Sequence, residues 1–297
     1  MCFNYIYIYC IYNYQKGKAV FNMSKSNLKN YSKINQIILR FDEAASQYDL
    51  ERTAIGYRIR HALIRGLLLE VCMHSNLALD LGCGTGEYAI LMEQMGFTVT
   101  GVDFSKAMLL VAKSKKSKSR TSNPLQLVRS ECSKLPFKDG LFDVIVCISV
   151  LDLIPLYNKL LNESYRVLKY GGKLILCIDS LWSPSQICTV VRELLHRRKN
   201  SKHAPDVLHY RNLTNSMKTE GFVIEKFIGD LLLGQLLTPF LFDPKRNNVA
   251  KKMLKVVKPL DFYLTRMWLL KPLSAHYIIQ ARKGNDELEH QLHSAVT

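Results

Sequence analysis

The sequence predicts an α/β fold in which a mostly parallel sheet is covered by helices on both faces. Short apolar runs alternate with longer segments whose apolar residues recur three and four positions apart, as strands and helices of such a fold do. Hydrophobic residues make up 48% of the chain and the mean hydropathy is −0.02, which is typical of a globular protein. A length of 297 residues suits one large domain with additions, or two small domains.

Seven segments have the apolar and β-branched pattern of strands. In chain order they are Leu77–Leu81, Thr98–Val102, Leu125–Arg129, Phe142–Ile148, Lys173–Ile178, Phe222–Phe227 and the alternating run SAHYIIQARK at 274–283.

Helical spacing separates these runs. A long helical pattern from Leu28 to about Arg65 precedes the first strand, and we expect it to lie over the mouth of a site. Further helices are predicted between the strands and before the sixth, at Glu87–Met95, Ser105–Lys115, Leu156–Leu168 and Arg211–Glu220.

These patterns divide the chain into five parts. Residues 1–22 resemble a translated upstream stretch, with Met23 as a plausible start, and we leave them out of the fold. Residues 23–75 form a predicted N-terminal helical lid and residues 76–228 the core. An apolar and basic insertion at 229–271 forms a predicted helical cap, and residues 272–297 hold the last strand and a polar tail.

The charge and the cysteines narrow the class of protein. Lysine and arginine exceed aspartate and glutamate by 16, an excess that attracts anionic partners. The cysteines form no CxxC pair and several lie in apolar runs, which is typical of reduced cysteines in a cytoplasmic protein and favours neither disulfides nor a metal site.

A glycine-rich turn follows the first predicted strand in LALDLGCGTGEYAI (77–90). Glycines at alternate positions, Gly82, Gly84 and Gly86, allow a tight turn and a close approach of a ligand to the backbone. The dinucleotide fingerprint is GxGxxG, whereas this spacing is GxGxG with Asp80 in front. An acidic residue there suits an ammonium group better than a diphosphate, so the turn favours a nucleoside that carries an amino acid.

The next two strands end in residues that suit such a ligand. Asp103 stands at the tip of the second strand, where a carboxylate can accept both hydrogen bonds of a ribose diol. Phe104 and Met108 follow as apolar walls for an adenine. Glu131, after the third strand, can accept a hydrogen bond from the adenine amino group.

Six segments in order resemble the class I S-adenosylmethionine-dependent methyltransferases, of the small-molecule type found in ubiquinone and menaquinone biosynthesis. The resemblance implies a Rossmann-like sheet of seven strands with an antiparallel last strand, and S-adenosylmethionine as cofactor. The matching segments are FDEAASQYD (41–49), LDLGCGTGEY (79–88), GVDFSKAML (101–109), ECSKLPF (131–137), FDVIVCISVLDLI (142–154) and ESYRVLKYGGKLIL (163–176).

The resemblance also implies roles for individual residues. Two positions depart from the family pattern: Glu131 replaces a shorter aspartate, and Tyr170 replaces a proline. By resemblance, the methionine part of the cofactor faces Asp80, Gly82, Cys83, Gly84, Thr85 and Gly86, the ribose faces Asp103, the adenine faces Phe104, Met108, Glu131 and Cys132, and the amino group faces the backbone of Ile148.

Few residues qualify as catalytic groups. Asp152 stands just past the fourth strand, where the family often has a residue near the acceptor, but it can also cap the following helix. Tyr48 in the lid is a candidate for closing over the cofactor. His203 and His209 beside the basic block HRRKNSKH are weaker candidates.

The predicted acceptor is a small hydrophobic metabolite, methylated on oxygen or carbon. The cap at 229–271 favours this acceptor and suggests peripheral contact with a membrane surface. One alternative is an RNA or tRNA methyltransferase that uses the basic surface, although ISVLD (148–152) lacks the proline motif of base-nitrogen methylation and Cys147 lies inside a strand. A second alternative is a catalytically inactive binding protein of the same fold.

Overall fold

A computed structural model describes the chain in eight segments. They are residues 36–53, 55–72, 77–118, 123–154, 157–180, 210–230, 247–265 and 273–284.

The sheet has seven strands in the order β3-β2-β1-β4-β5-β7-β6. Strands β1 to β5 pair in parallel, and β7 runs antiparallel to both of its neighbours, β5 and β6. The predicted seven-stranded, mostly parallel sheet with an antiparallel last strand is confirmed. The strands are β1 (Leu77–Leu81), β2 (Thr98–Asp103), β3 (Leu125–Arg129), β4 (Phe142–Ile148), β5 (Leu168–Asp179), β6 (Phe222–Asp230) and β7 (His276–Lys283).

The helices lie largely where the periodicity predicted them, except at the N-terminal end. The helical pattern predicted from Leu28 to about Arg65 is three separate helices within the described residues, because short turns at 45–47 and 52–53 interrupt it. The helices are α1 (36–44), α2 (Tyr48–Glu51), α3 (Ile55–Cys72), α4 (Glu87–Gln94), α5 (Lys106–Ser117), α6 (Tyr157–Val167), α7 (Tyr210–Thr219) and α8 (Asn247–Leu264).

Two strand boundaries differ from the prediction by three residues or more, and the others agree within two residues. β5 begins at Leu168 rather than Lys173, because Leu168 pairs with Phe142 before a register shift at a bulge. β6 continues to Asp230, beyond the predicted end at Phe227, because its whole length pairs with β7. Both extensions depend on partner strands that are distant in sequence.

Apolar side chains on both faces of the sheet form the core. On one face Leu79 and Ile145 belong to a cluster that includes residues of α6 and α7. On the other face Ala78 and Val144 pack with residues of α3 and α4. Since neighbouring residues of one strand enter different clusters, the central strands are buried on both sides, as in a doubly covered parallel sheet.

The strand order reverses between the neighbouring strands β1 and β4. After β1 the chain continues to β2 on one side of the sheet, and after β4 it continues to β5 on the other side. A cleft therefore opens at the carboxyl ends of these strands, which is the usual ligand site of open α/β sheets. Residues of α1 and α2 line this cleft from above. The sheet thus places the end of β1, the end of β2 and the end of β4 around one site.

Part of the predicted cap is described as α8. This helix carries exposed Lys251, Lys252 and Lys255 and an exposed Tyr263. The apolar run at 231–242 lies outside the described residues. Among the helices that the structure describes, none is both long enough and apolar enough to cross a bilayer.

Candidate active site

The glycine turn after β1 has a backbone shape that side chains would not allow. Gly82, Gly84 and Gly86 have φ values of 76°, 51° and 80°, in the left-handed region that glycine tolerates. The amides of Gly82 and Cys83 donate to the Val102 carbonyl at 2.8 and 2.9 Å. A Cβ on Gly82 would lie 2.3 Å from Cγ2 of Val150, so the turn packs directly against the end of β4.

The three glycines have different surroundings. Gly82 lines the cavity in the cleft, whereas Gly84 and Gly86 do not. The Gly84 amide instead holds the carboxylate of Asp103, and Gly86 precedes α4 where a Cβ would lie 3.0 Å from Cβ of Ala112. Within this turn, therefore, one glycine allows approach to the cavity and another allows close packing of helices.

Asp103 is held in a fixed orientation at the tip of β2. Its Oδ2 accepts a hydrogen bond from the Gly84 amide and its Oδ1 from the Ser105 amide, both at 2.8 Å. Burial raises the pKa of Asp103, and these backbone hydrogen bonds oppose the rise. Each oxygen keeps a second lone pair with which to accept a hydrogen bond from a ligand.

Asp80 is the most deeply buried acid of the cavity, with 2% of its surface exposed. Its pKa is raised to about 7, chiefly by burial and also by the nearby acids Asp103 and Glu87, against the lowering effect of a backbone hydrogen bond from Ala89. Its Oδ2 has no hydrogen-bond partner among the described residues. A buried carboxylate oxygen without a partner suits a cationic ligand.

The cavity has a volume of about 150 Å³ and collects most of the predicted cofactor residues. Phe104, Met108 and Ile148 are apolar parts of its wall, and Glu131 accepts a hydrogen bond from Ser133 at 2.7 Å. The predicted residues that line it are Asp80, Gly82, Cys83, Thr85, Asp103, Phe104, Met108, Glu131, Cys132 and Ile148, together with Tyr48.

The cavity also has lining residues that the sequence analysis missed. Arg52 donates to Glu87 at 2.8 Å and to the hydroxyl of Tyr48, and its guanidinium lies 4.4 Å from the centre of the Tyr48 ring. The sequence did contain a signal for Arg52, because it stands four residues after Tyr48 in a helical pattern and so lies on the same face. The other missed lining residues are Ile37, Ile38, Phe41, Glu87, Tyr88, Ser105, Ser133, Ser149, Val150, Leu153 and Ile154.

Polar contacts attach the N-terminal helices to the rim of the cavity. Asp42 of α1 accepts hydrogen bonds from the Ser105 hydroxyl and, at 3.2 Å, from the Ala107 amide at the start of α5. Asp49 of α2 accepts from the Thr85 hydroxyl at 2.6 Å and pairs with Lys115 at 2.9 Å. The helices therefore cover the site through the glycine turn and the N-terminal end of α5.

Asp152 lies beside the cavity and does not line it. Its Oδ2 accepts a hydrogen bond from the Asp179 amide at 3.1 Å, and its Oδ1 has no partner among the described residues. Burial and the neighbouring Asp179 raise the pKa of Asp152 to about 8. His203 and His209 lie outside the described residues.

A buried histidine stands at the same edge of the sheet. His276 at the start of β7 contacts Asp230 at 2.9 Å and lies 3.6 Å from Asp179. Burial lowers the pKa of His276, but the adjacent Asp230 outweighs this effect and raises the pKa above its usual value. The sequence analysis missed this pair because Asp230 and His276 are far apart in the chain.

Comparison with known proteins identifies the part of the chain that forms this site. Residues 79–176 match the model of a methyltransferase domain. This segment is therefore similar to methyltransferase domains, in agreement with the resemblance of its motifs to the class I S-adenosylmethionine-dependent family. It contains the glycine turn and the ends of β2 and β4, so most of the predicted cofactor residues lie within it.

Demethylmenaquinone methyltransferases are similar to this domain and its flanks. The protein from Oceanobacillus iheyensis is 35% identical over 156 residues, which are 51% of this chain and 65% of that protein. The protein from Listeria monocytogenes serotype 4a is 36% identical over 146 residues, 47% of this chain and 60% of that protein. The chain thus matches less than two thirds of the length of these relatives.

A solved structure of an S-adenosylmethionine-dependent methyltransferase from Mesorhizobium loti is also similar to the chain. It has a TM-score of 0.48 and 16% sequence identity, and the match covers 70% of this chain and 91% of that one.

Proposed function

We propose that this protein transfers a methyl group from S-adenosylmethionine to an apolar small molecule, on oxygen or carbon. The observation that carries the proposal is the pair of carboxyl groups, the buried Asp80 and the half-buried Asp103, at a cavity beside the glycine turn. Asp80 has an oxygen without a partner among the described residues, and Asp103 is held by two backbone amides.

The residues present fit this cofactor. The partnerless oxygen of Asp80 suits its cationic amino-acid part, and the oriented Asp103 suits the two hydroxyls of a ribose. Phe104 and Met108 offer apolar surface for the adenine, with Glu131 at the edge. Gly82 lines the cavity at a point where a Cβ would clash with Val150, so the turn can approach the cofactor only as glycine.

The cofactor supplies an activated methyl group, and the task of the protein is to align the acceptor with it. In such a displacement the new bond forms between the methyl carbon and the acceptor oxygen or carbon, while the carbon–sulfur bond breaks and its electron pair stays on sulfur. Correct orientation alone can contribute roughly 7–11 kcal/mol. An acceptor hydroxyl or carbon must also lose its proton; we propose that the acceptor enters as its anion, the proton having passed to solvent, so that no strong base at the cavity is required.

We propose that Tyr48 and its helix close the site and exclude water. The ring of Tyr48 lies 3.9 Å from the position of a Cβ on Gly84, so it covers the glycine turn. Ion pairs and hydrogen bonds from Arg52 and Asp49 attach this segment to Glu87 and Thr85. A closed site protects the reaction from solvent.

The chemistry of the cavity wall supports an apolar acceptor. Ile37, Ile38 and Phe41 line it from α1, and Leu153 and Ile154 line it beyond β4. Arg52 is the one lysine or arginine among the described lining residues, and it pairs with Glu87. A nucleic-acid site would present several basic groups. The similarity to demethylmenaquinone methyltransferases supports an aromatic, quinone-type acceptor.

Isothermal calorimetry tests the cofactor part of the proposal. We expect the wild type to bind S-adenosylmethionine, and Asp103→Ala to weaken binding by about tenfold or more, because hydrogen bonds to a charged group are lost. Asp139→Ala is the matched control, since it removes an aspartate whose side chain is 80% exposed. Absence of binding to the wild type would overturn the proposal.

A labelling experiment tests the acceptor. The protein is incubated with methyl-labelled S-adenosylmethionine and either a bacterial lipid extract containing demethylated quinones or total RNA. We expect the label in the organic-soluble fraction. Label in the RNA would instead establish the nucleic-acid alternative, and Asp103→Ala serves as the inactive control in both arms.

A further inference from the structure

We infer that Ser149, polarised by Arg60, binds an anionic oxygen of the acceptor, so that the acceptor is an apolar molecule with a carboxylate or phenolate group. This inference rests on the proposed function, because it specifies which acceptors enter the same cavity. Ser149 is the residue that would touch the acceptor, and Arg60 is a positioning residue behind it.

Arg60 is a guanidinium buried inside the fold. It belongs to α3, is 4% exposed and lies 5.1 Å from the centre of the Tyr57 ring. Burying a charge is costly unless it is paired. Within the described part of the chain Arg60 makes no ion pair, its Nε has no partner, and its Nη1 donates to the Ser149 hydroxyl at 3.2 Å. The positive charge is therefore directed at Ser149.

Ser149 occupies a strained position where the end of β4 meets the cavity. It follows β4 directly, lines the cavity and has a φ of 54°, the one positive φ of a non-glycine residue among those described. Such a backbone costs energy for a side chain and occurs often at functional sites. The strain places the hydroxyl between the buried guanidinium and the cavity.

The direction of the hydrogen bond determines what Ser149 can bind. Its Oγ accepts from Arg60, so its own proton must be donated elsewhere. In the described segments this proton has no acceptor. A hydroxyl that accepts from a guanidinium is a stronger donor, because hydrogen bonds in a chain polarise one another. The best partner for it is an oxygen that carries negative charge.

The charges of the cavity support this assignment. The acids Asp80, Asp103 and Glu87 lie on the cofactor side, where they suit a cation. Ser149, which accepts the hydrogen bond from Arg60, lines the cavity directly after β4, as do the apolar residues Leu153 and Ile154. A cationic donor therefore meets the acids, and an anionic acceptor would meet the hydroxyl that Arg60 polarises. An ionised oxygen would also be the better nucleophile, or would activate the carbon conjugated with it.

The test compares two probes that differ in charge and not in shape, 1-naphthoate and 1-naphthamide. Their dissociation constants are measured by calorimetry in the presence of S-adenosylhomocysteine. We expect the wild type to bind the carboxylate about tenfold or more tightly than the amide. Arg60→Met should reduce this ratio to about one, and Arg60→Lys should restore part of it, since the charge is kept.

Two serine variants keep the inference falsifiable if Arg60→Met does not fold. Ser149→Ala removes the hydroxyl, and Ser149→Gly removes it while relieving the backbone strain, which offsets part of the stability lost with the hydrogen bond to Arg60. Both should lose the preference for the carboxylate. Arg58→Met on the exposed side of α3 is the matched control and should retain it.

Binding of S-adenosylmethionine distinguishes a failure of this inference from a failure of the proposed function. If the wild type binds S-adenosylmethionine but shows no preference for 1-naphthoate, the inference is wrong and the proposed function stands. If the preference survives in both Ser149 variants, the inference is also wrong. If the wild type does not bind S-adenosylmethionine, the proposed function fails and this inference fails with it.

Discussion

Replacing Asp80 by asparagine should make the protein more stable and less able to bind its cofactor. Asp80 is buried, and its pKa is about 7 instead of the ordinary 3.8. Between these two values the folded protein holds a proton that the unfolded chain has released. The free energy of unfolding therefore falls as pH rises through this window. Asparagine has a similar shape and no charge, so the variant escapes this loss.

The size of the effect follows from the two pKa values. A difference of about three corresponds to roughly 4 kcal/mol at pH 8, because each pKa unit is worth about 1.4 kcal/mol. The amide nitrogen of asparagine then has no partner at the position of Oδ2, which costs about 1–3 kcal/mol. We expect a net gain of about 1–3 kcal/mol at pH 8.

The measurement is thermal unfolding of Asp80→Asn and wild type without cofactor at pH 5 and pH 8. The gain at pH 8 corresponds to about 2–5 °C in Tm for a chain of 297 residues. At pH 5 the buried carboxyl destabilises the wild type by only roughly 1.5 kcal/mol. The unpaired amide nitrogen of the variant costs about as much, so the gain in stability should nearly vanish. Equal differences in Tm at the two pH values would refute this reasoning, and so would a variant that binds S-adenosylmethionine as well as the wild type does.

Three further variants test other parts of the fold. Gly82→Ala should destabilise the protein by about 1–3 kcal/mol in urea unfolding, since its Cβ has no room; an unchanged midpoint would contradict this. The pKa of His276 is higher in the folded protein than in the unfolded chain. Its pairing therefore stabilises the fold fully when the pH is below the pKa of the unfolded state, and this stabilisation is lost as the pH rises through the pKa of the folded state. His276→Gln should therefore lower Tm more at pH 6 than at pH 9, and a pH-independent loss would refute the assignment. The exposed lysines of α8 should bind acidic vesicles in co-sedimentation, and changing Lys251, Lys252 and Lys255 to glutamate should abolish it; equal binding to neutral vesicles would exclude this surface.

Local sequence predicted the central strands well. The observed bounds of Leu77–Leu81, Leu125–Arg129 and Phe142–Ile148 equal the predicted ones, because each apolar run is bounded by turn residues. The start of β5 and the end of β6 were wrong, because their extra pairs depend on strands that lie elsewhere in the chain. Periodicity reports which face of a strand is buried, but it does not report how far a partner extends.

The residues of the candidate site also differ in whether they could be predicted from the local sequence. The glycine turn and Asp103 follow a strand in the sequence, so their position at the sheet edge was predictable. Arg60 was not predictable, since it is 89 residues from Ser149 and looks like one of several arginines in a helical pattern. The positive φ of Ser149 also depends on the tertiary structure.

The position of β7 has a consequence for how the chain folds during synthesis. β7 is made after β6 but lies between β5 and β6, and in the described sheet β6 pairs with β7 alone. Until the ribosome has released residues 276–283, one edge of β5 and all of β6 lack a neighbour. Unpaired strand edges bind other chains. The nascent chain is thus open to pairing with other chains until β7 has been made and has inserted between β5 and β6.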